Sequence, residues 1–178
     1  MISLRRGVVS TILVTTVAAV ILSLGAYWRF GEPARFVPEV AFVDADGQRR
    51  SITEYRGRYV LLNVWATWCP PCVKEMPALD RLQALKGNAQ FEVVALSVDR
   101  KGMQLVRDFY QRVGLRSLGI YLDQDGRSMS SLRITGLPTT LLVDPSGREI
   151  ARWAGMREWD SPEIIRDIEK LITQAGAR

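Results

Sequence analysis

The sequence predicts an α/β domain, a mixed β-sheet with flanking helices, preceded by one membrane-spanning helix. Three observations carry this. Tyr59–Trp65 and Phe91–Val98 are too uniformly apolar for strands with one wet face, and read as central strands covered on both sides. Each is followed by a segment whose apolar residues recur every three or four positions, the spacing of a helix that packs one face. Finally, Gly7 to Trp28 carries no charge over 22 positions. As a helix it would span roughly 33 Å, matching a bilayer core.

Arg5 and Arg6 precede that apolar run and Tyr27 and Trp28 close it. The excess of positive charge before the run predicts a cytoplasmic N-terminus and a domain on the outer side of the membrane. A cleaved signal peptide is the competing reading, because Ser23-Leu24-Gly25 offers small residues at a cleavage point. The run exceeds the 7 to 15 apolar residues that such signals usually carry. The expected organisation is therefore a membrane anchor over 1–30, a linker over 31–38 that contains two prolines and need not be ordered, and a domain over 39–178.

A net charge of +5 is a sign shared with nucleic-acid-binding chains, but four of the 24 basic residues flank the apolar segment. From Phe36 onward 20 Lys and Arg face 18 Asp and Glu, with no basic patch interleaved with aromatics. That argues against a nucleic-acid partner.

Along the domain, Val40–Val43 and Arg49–Ile52, divided by Asp46-Gly47, predict a hairpin, since Asp-Gly tolerates the positive φ of tight turns. The strand Tyr59–Trp65 leads into a helix with Cys72, Met76, Leu79, Leu82 and Leu85 on its expected buried stripe and a kink expected at Pro77. Phe91–Val98 is the second central strand. Met103, Val106, Phe109, Tyr110 and Val113 share a face of the next helix, and Gly119–Leu122 is a short strand. This βαβ order favours parallel pairing. Thr139–Asp144 and Arg148–Trp153 follow as an antiparallel pair around Pro145-Ser146-Gly147. Ser161, Pro162 and Glu163 mark the start of a last helix whose apolar face is Ile164, Ile165, Ile168, Leu171 and Ile172.

The chemistry concentrates in Cys69 and Cys72, the only cysteines, where the first central strand gives way to a helix. A helix beginning at Pro70 places Cys69 at its N-terminus, where unpaired N–H groups and the macrodipole stabilise a thiolate. Cys72, one turn in and on the buried stripe, is placed to resolve a mixed disulfide formed at Cys69. Pro70 and Pro71 have no N–H to offer that thiolate and histidine is absent, so a reducing rather than strongly oxidising couple is expected. The absence of histidine also removes Cys-His catalysis and His-ligated zinc. A purely structural disulfide is a weak alternative, since so short a loop removes little entropy from the unfolded chain.

Trp68-Cys69-Pro70-Pro71-Cys72 after an apolar strand, Pro77 in the following helix, and Leu137-Pro138-Thr139 before another strand together resemble the thioredoxin superfamily. Residues 63–79 and 136–148 look more closely like the membrane-anchored TlpA/ResA group of thiol:disulfide oxidoreductases, the likeness covering roughly residues 36–176. The resemblance implies a thioredoxin-like fold with an inserted βα unit, fitting the 69 positions that separate Cys69 from Pro138. It also implies a cis Pro138, with Leu137 and Pro138 lying against the disulfide and offering backbone groups to a substrate strand. Trp68, Pro70 and Pro71 would border the same groove. Asn63 stands where thioredoxins carry a buried acid, and Glu75 is the replacement that the TlpA/ResA resemblance suggests, able to take the Cys72 proton if burial raises its pKa. The competing reading of Glu75 is a solvated helical glutamate.

The function implied is reduction of protein disulfides outside the cytoplasm, without a cofactor, by an enzyme recharged by a transmembrane electron donor. Clients in that group include apocytochrome c and the copper-site subunit or assembly factor of a cytochrome oxidase. Two other classes compete: a Cu(I) metallochaperone using both thiolates, and a thiol peroxidase.

Overall fold

The computed structural model describes residues 35–177. Their chain order begins with the hairpin β1 (Ala41–Asp44) and β2 (Arg49–Ser51), followed by β3 (Tyr59–Trp65), α1 (Pro70–Lys86), β4 (Phe91–Ser97) and α2 (Met103–Val113). β5 (Tyr121–Leu122), α3 (Arg127–Ser131), β6 (Thr139–Val143), β7 (Glu149–Ala154) and α4 (Pro162–Gly176) complete it. The seven strands form one mixed sheet in the order β2-β1-β5-β4-β3-β6-β7. β3–β4 and β4–β5 pair in parallel; β3–β6, β6–β7 and the β1 pairings are antiparallel. The membrane helix expected over 1–30 lies outside the described residues, and no helix among those described is long and apolar enough to cross a membrane.

Apolar continuity decides the centre of the sheet. Six of the seven β3 residues, six of the seven in β4 and all five of β6 are buried, so these strands are sandwiched on both faces. Each buried Leu or Val there contributes about 1.5–3 kcal/mol relative to exposure. At the periphery, the β1–β2 turn is organised by Asp44, whose Oδ1 accepts the Asp46 and Gln48 N–H groups at 3.0 and 2.9 Å. Gly47, at φ +76°, supplies the left-handed residue of that turn.

Four expectations need correction. Leu85 is 64% exposed rather than part of the α1 stripe. Steps of three residues fall about 60° short of a full turn, so two of them in succession from Leu79 carry Leu85 away from the face that holds Cys72 and Met76. Strand β5 is only two residues long, and the Gly119 carbonyl instead accepts the Tyr110 hydroxyl at 3.0 Å. On α4 only Ile168 is fully buried, the other four apolar residues being half-buried. In the expected linker, Val37 N–H donates to Gly147 O and Glu149 N–H to Arg35 O, both at 2.9 Å, so residues 35–37 are stitched to the β6–β7 turn. Pro77 lies inside α1 without ending it.

Candidate active site

The end of β3 delivers the cysteines to the start of α1. Cys69 is the N-cap, in extended conformation, with Pro70 at the first helical position, where a missing N–H costs nothing. Its carbonyl accepts the Val73 N–H at 3.0 Å, the first bond of the helix. Cys69 and Cys72 form a disulfide with Cα atoms 5.3 Å apart. Cys69 Sγ accepts the Cys72 N–H at 3.4 Å, its one hydrogen-bond donor among the described residues. Pro70 and Pro71 are exposed and contribute none. The order of accessibility expected for the sulfurs holds, but narrowly: Cys69 is 5% exposed and Cys72 0%, so an incoming group reaches Cys69 along a restricted approach.

Pro138 comes to the same end of the sheet through strand register. Thr139 of β6 is paired with Val64 of β3, which sets Pro138 beside the end of the strand that leads to the cysteines. The Leu137–Pro138 bond is cis, as the resemblance implies. The Pro138 carbonyl, however, is occupied by the Gly155 N–H at 2.8 Å, and the Gly136 carbonyl by the Thr139 hydroxyl at 2.7 Å. Among the described residues the backbone N–H and C=O of half-buried Leu137 have no partner. The open backbone groups are therefore Leu137's.

Glu75 is 1% exposed, which removes the solvated reading. It sits three residues after Cys72 and four before Leu79, hence on the buried face of α1. Its Oε1 accepts from Asn63 Nδ2 at 2.8 Å, and its Oε2 from the Arg157 N–H at 3.0 Å and Trp159 Nε1 at 2.9 Å. Asn63 Nδ2 also donates to Thr140 Oγ1 at 2.9 Å, while Asn63 Oδ1 is buried with no partner. Burial pushes the Glu75 carboxyl above the usual glutamate range, against the Trp159, Arg157 and Asn63 hydrogen bonds that favour its anion. The result is a buried carboxyl group that holds its proton more tightly than an exposed glutamate, one helical turn from Cys72.

The stretch before Cys69 is fixed from the other side. Asp99, just past the end of β4 and 1% exposed, accepts the Thr67 N–H at 2.9 Å, the Thr67 hydroxyl at 2.8 Å and the Ser97 hydroxyl at 2.8 Å. This clamps the β3–α1 turn to β4 and leaves Trp68 projecting, 66% exposed. Trp65 is fully buried and packs on Phe109 at 5.0 Å between ring centroids, as core.

Sequence reasoning missed three members of this arrangement. Trp159 reads in the sequence as an ordinary packing aromatic, yet its indole N–H holds Glu75 while its ring meets Trp153 edge-on at 5.6 Å. The Arg157 amide carried no signal at all, being a backbone group 82 residues from its partner. Asp99 did carry one, a lone carboxylate directly after a buried strand.

A family model described as Redoxin matches residues 31–168. The thiol-disulfide oxidoreductase ResA of Geobacillus thermodenitrificans is 33% identical over 111 residues, covering 62% of this chain and 63% of that protein. The chain thus spans rather less than two thirds of that relative's length. ResA of Bacillus subtilis is 30% identical over 135 residues, covering 76% of this chain and 73% of that protein. In fold, the chain is similar to a Chlorobium tepidum structure described as a thiol:disulfide interchange protein DsbE, with a TM-score of 0.70 at 24% identity over 79% of this chain and 98% of that one. StoA from Bacillus subtilis superposes with a TM-score of 0.62 at 24% identity over 77% and 99%.

Proposed function

The chain belongs to the redoxin family, within the TlpA/ResA-like group of the thioredoxin superfamily, and from that membership we propose that it is a thiol:disulfide oxidoreductase that reduces protein disulfides. The observation that carries the reading is the Cys69–Cys72 disulfide at a helix N-terminus with the buried Glu75 carboxyl one turn below it. A staple would have no use for a buried ionisable group beside it.

In the reduced enzyme the Cys69 thiolate, favoured by the Cys72 N–H and the α1 dipole, attacks one sulfur of a client disulfide. A mixed disulfide forms and one client thiolate leaves. Glu75, as carboxylate, takes the Cys72 proton, and the Cys72 sulfur attacks Cys69, closing the disulfide seen here and releasing the second client thiol. Two electrons pass to the client, and a dithiol donor must return them. The Leu137 N–H donates to, and its C=O accepts from, the client backbone, which pairs there as an added strand. Trp68, Pro70, Pro71 and Pro138 form the walls of the groove.

We place the domain outside the cytoplasm, anchored through residues 1–30 to the bacterial membrane, with an electron donor in that membrane and clients among the cysteines of apocytochrome c or the oxidase copper site. The support is the uncharged N-terminal run and the family relationship. Trapping on a full-length Cys72→Ser variant tests the reaction. Mixed disulfides should accumulate at Cys69 and dissolve with dithiothreitol; their absence with an otherwise reducible client refutes the reading. Membrane fractionation tests the anchor, which is lost if the mature chain begins after residue 25.

A further inference from the structure

A client disulfide must approach Cys69 past Trp68, and the surface on that side is charged. Trp68 borders an open cleft of about 690 Å³ whose walls also include Arg100, Lys101, Leu105 and Arg112. Arg100 and Lys101 come from the loop after β4, and Arg112 from the last turn of α2, where its guanidinium stands 5.9 Å from the Phe109 ring centroid. All three cations are exposed, and among the described residues none of them is in an ion pair. The one acid in the cleft wall, Asp99, is buried, with its oxygens committed to Thr67 and Ser97. Its charge is held in the wall while the three positive groups face solvent.

We propose that this cleft is a specificity site for an acidic segment of the client polypeptide flanking the cysteine to be reduced. The inference rests on the oxidoreductase reading. A single small anion would leave most of so large a cleft empty, whereas a chain bound at Cys69 has to lie alongside Trp68, the adjacent residue. The exposed indole and Leu105 cover apolar portions of such a segment, and the cations meet its carboxylates. Like-charged clients are repelled before their disulfide reaches Cys69.

The test uses the pre-reduced full-length chain and synthetic disulfide peptides that differ only in two flanking residues: glutamate, glutamine or lysine. At about 20 mM salt the glutamate peptide should be reduced with a single-turnover second-order rate constant about tenfold above that of the glutamine peptide, and the ratio should fall toward one at about 500 mM. The double variant Arg100→Glu with Lys101→Glu should invert the order, favouring the lysine peptide, a gain that misfolding cannot imitate. Equal reduction of all three peptides by the native chain, or an acidic preference that survives the double variant, overturns the proposal alone. Failure to reduce any peptide overturns the oxidoreductase reading, and this site with it.

Discussion

Replacing Glu75 by glutamine separates chemistry from architecture. The glutamine oxygen can occupy the Oε2 position and keep the Arg157 and Trp159 donors, now at 3.0 and 2.9 Å. Its amide nitrogen would then oppose Asn63 Nδ2, but Asn63 can turn its amide and present the Oδ1 that now has no partner. Thr140, now an acceptor, would donate instead. The exchange leaves one buried donor unpaired, a cost of about 1–3 kcal/mol. Loss of the proton acceptor for Cys72 should slow closure of the disulfide about 100-fold or more, roughly 3 kcal/mol in the barrier. Single-turnover stopped-flow kinetics would show an intact first phase and a slowed second. In the native enzyme the second phase should rise with pH through the Glu75 pKa, which lies above the usual value near 4.5; the variant should lack that limb. Stability supplies an independent check. Because the folded chain holds the Glu75 proton more tightly than the unfolded one, its contribution is fully present below about pH 4.5 and is lost as pH rises through the elevated folded pKa, by at most about 1.4 kcal/mol per pH unit. Denaturant titrations of the variant should lack this decline. Unchanged second-phase kinetics and an unchanged pH profile would remove Glu75 from the mechanism.

Trp159→Phe keeps most of the ring but deletes the N–H that supports the Glu75 anion. The kinetic pH limb should move upward and stability should fall by about 1–2 kcal/mol, read by stopped flow and urea titration. Thr67→Val removes the hydroxyl held by Asp99; a loss of about 1–3 kcal/mol is expected, with faster amide exchange in the turn before Cys69. The reduction potential, measured against glutathione, should fall nearer the ~−270 mV of thioredoxin than the ~−120 mV of a strong oxidant, since Cys69 Sγ has one donor where a strongly stabilised thiolate needs several. A value near the oxidant's refutes that inference.

The centre of the fold was legible because β3 and β4 are apolar runs broken only by Asn63, Glu92 and Ser97, and α2 follows β4 with clear helical periodicity. The cysteine pair announced itself by position, whereas Glu75 stood open between a buried acid and a solvated helical glutamate until the structure showed it buried. What surrounds Glu75 was not legible. Asn63, Arg157 and Trp159 arrive from three separate parts of the chain, and a tryptophan's packing role hides its hydrogen-bonding one. The cis bond at Pro138 and its place beside the cysteines came from family likeness, because the β3–β6 register that joins them spans 75 residues. Leu85 misled because an i, i+3 series drifts off its face, a geometric fact that counting apolar residues conceals.

The pairing of β3 with both β4 and β6 also sets a timetable. β4 follows within one crossover, but β6 ends 78 residues after β3 does. At about 5–20 residues per second, this central strand waits roughly 4–16 s after its synthesis for its second neighbour. During that interval both cysteines already exist and one edge of β3 is open to pairing with another chain. A nascent polypeptide halted before Thr139 would be a sticky intermediate with both cysteines made and the β6 edge of β3 unpaired.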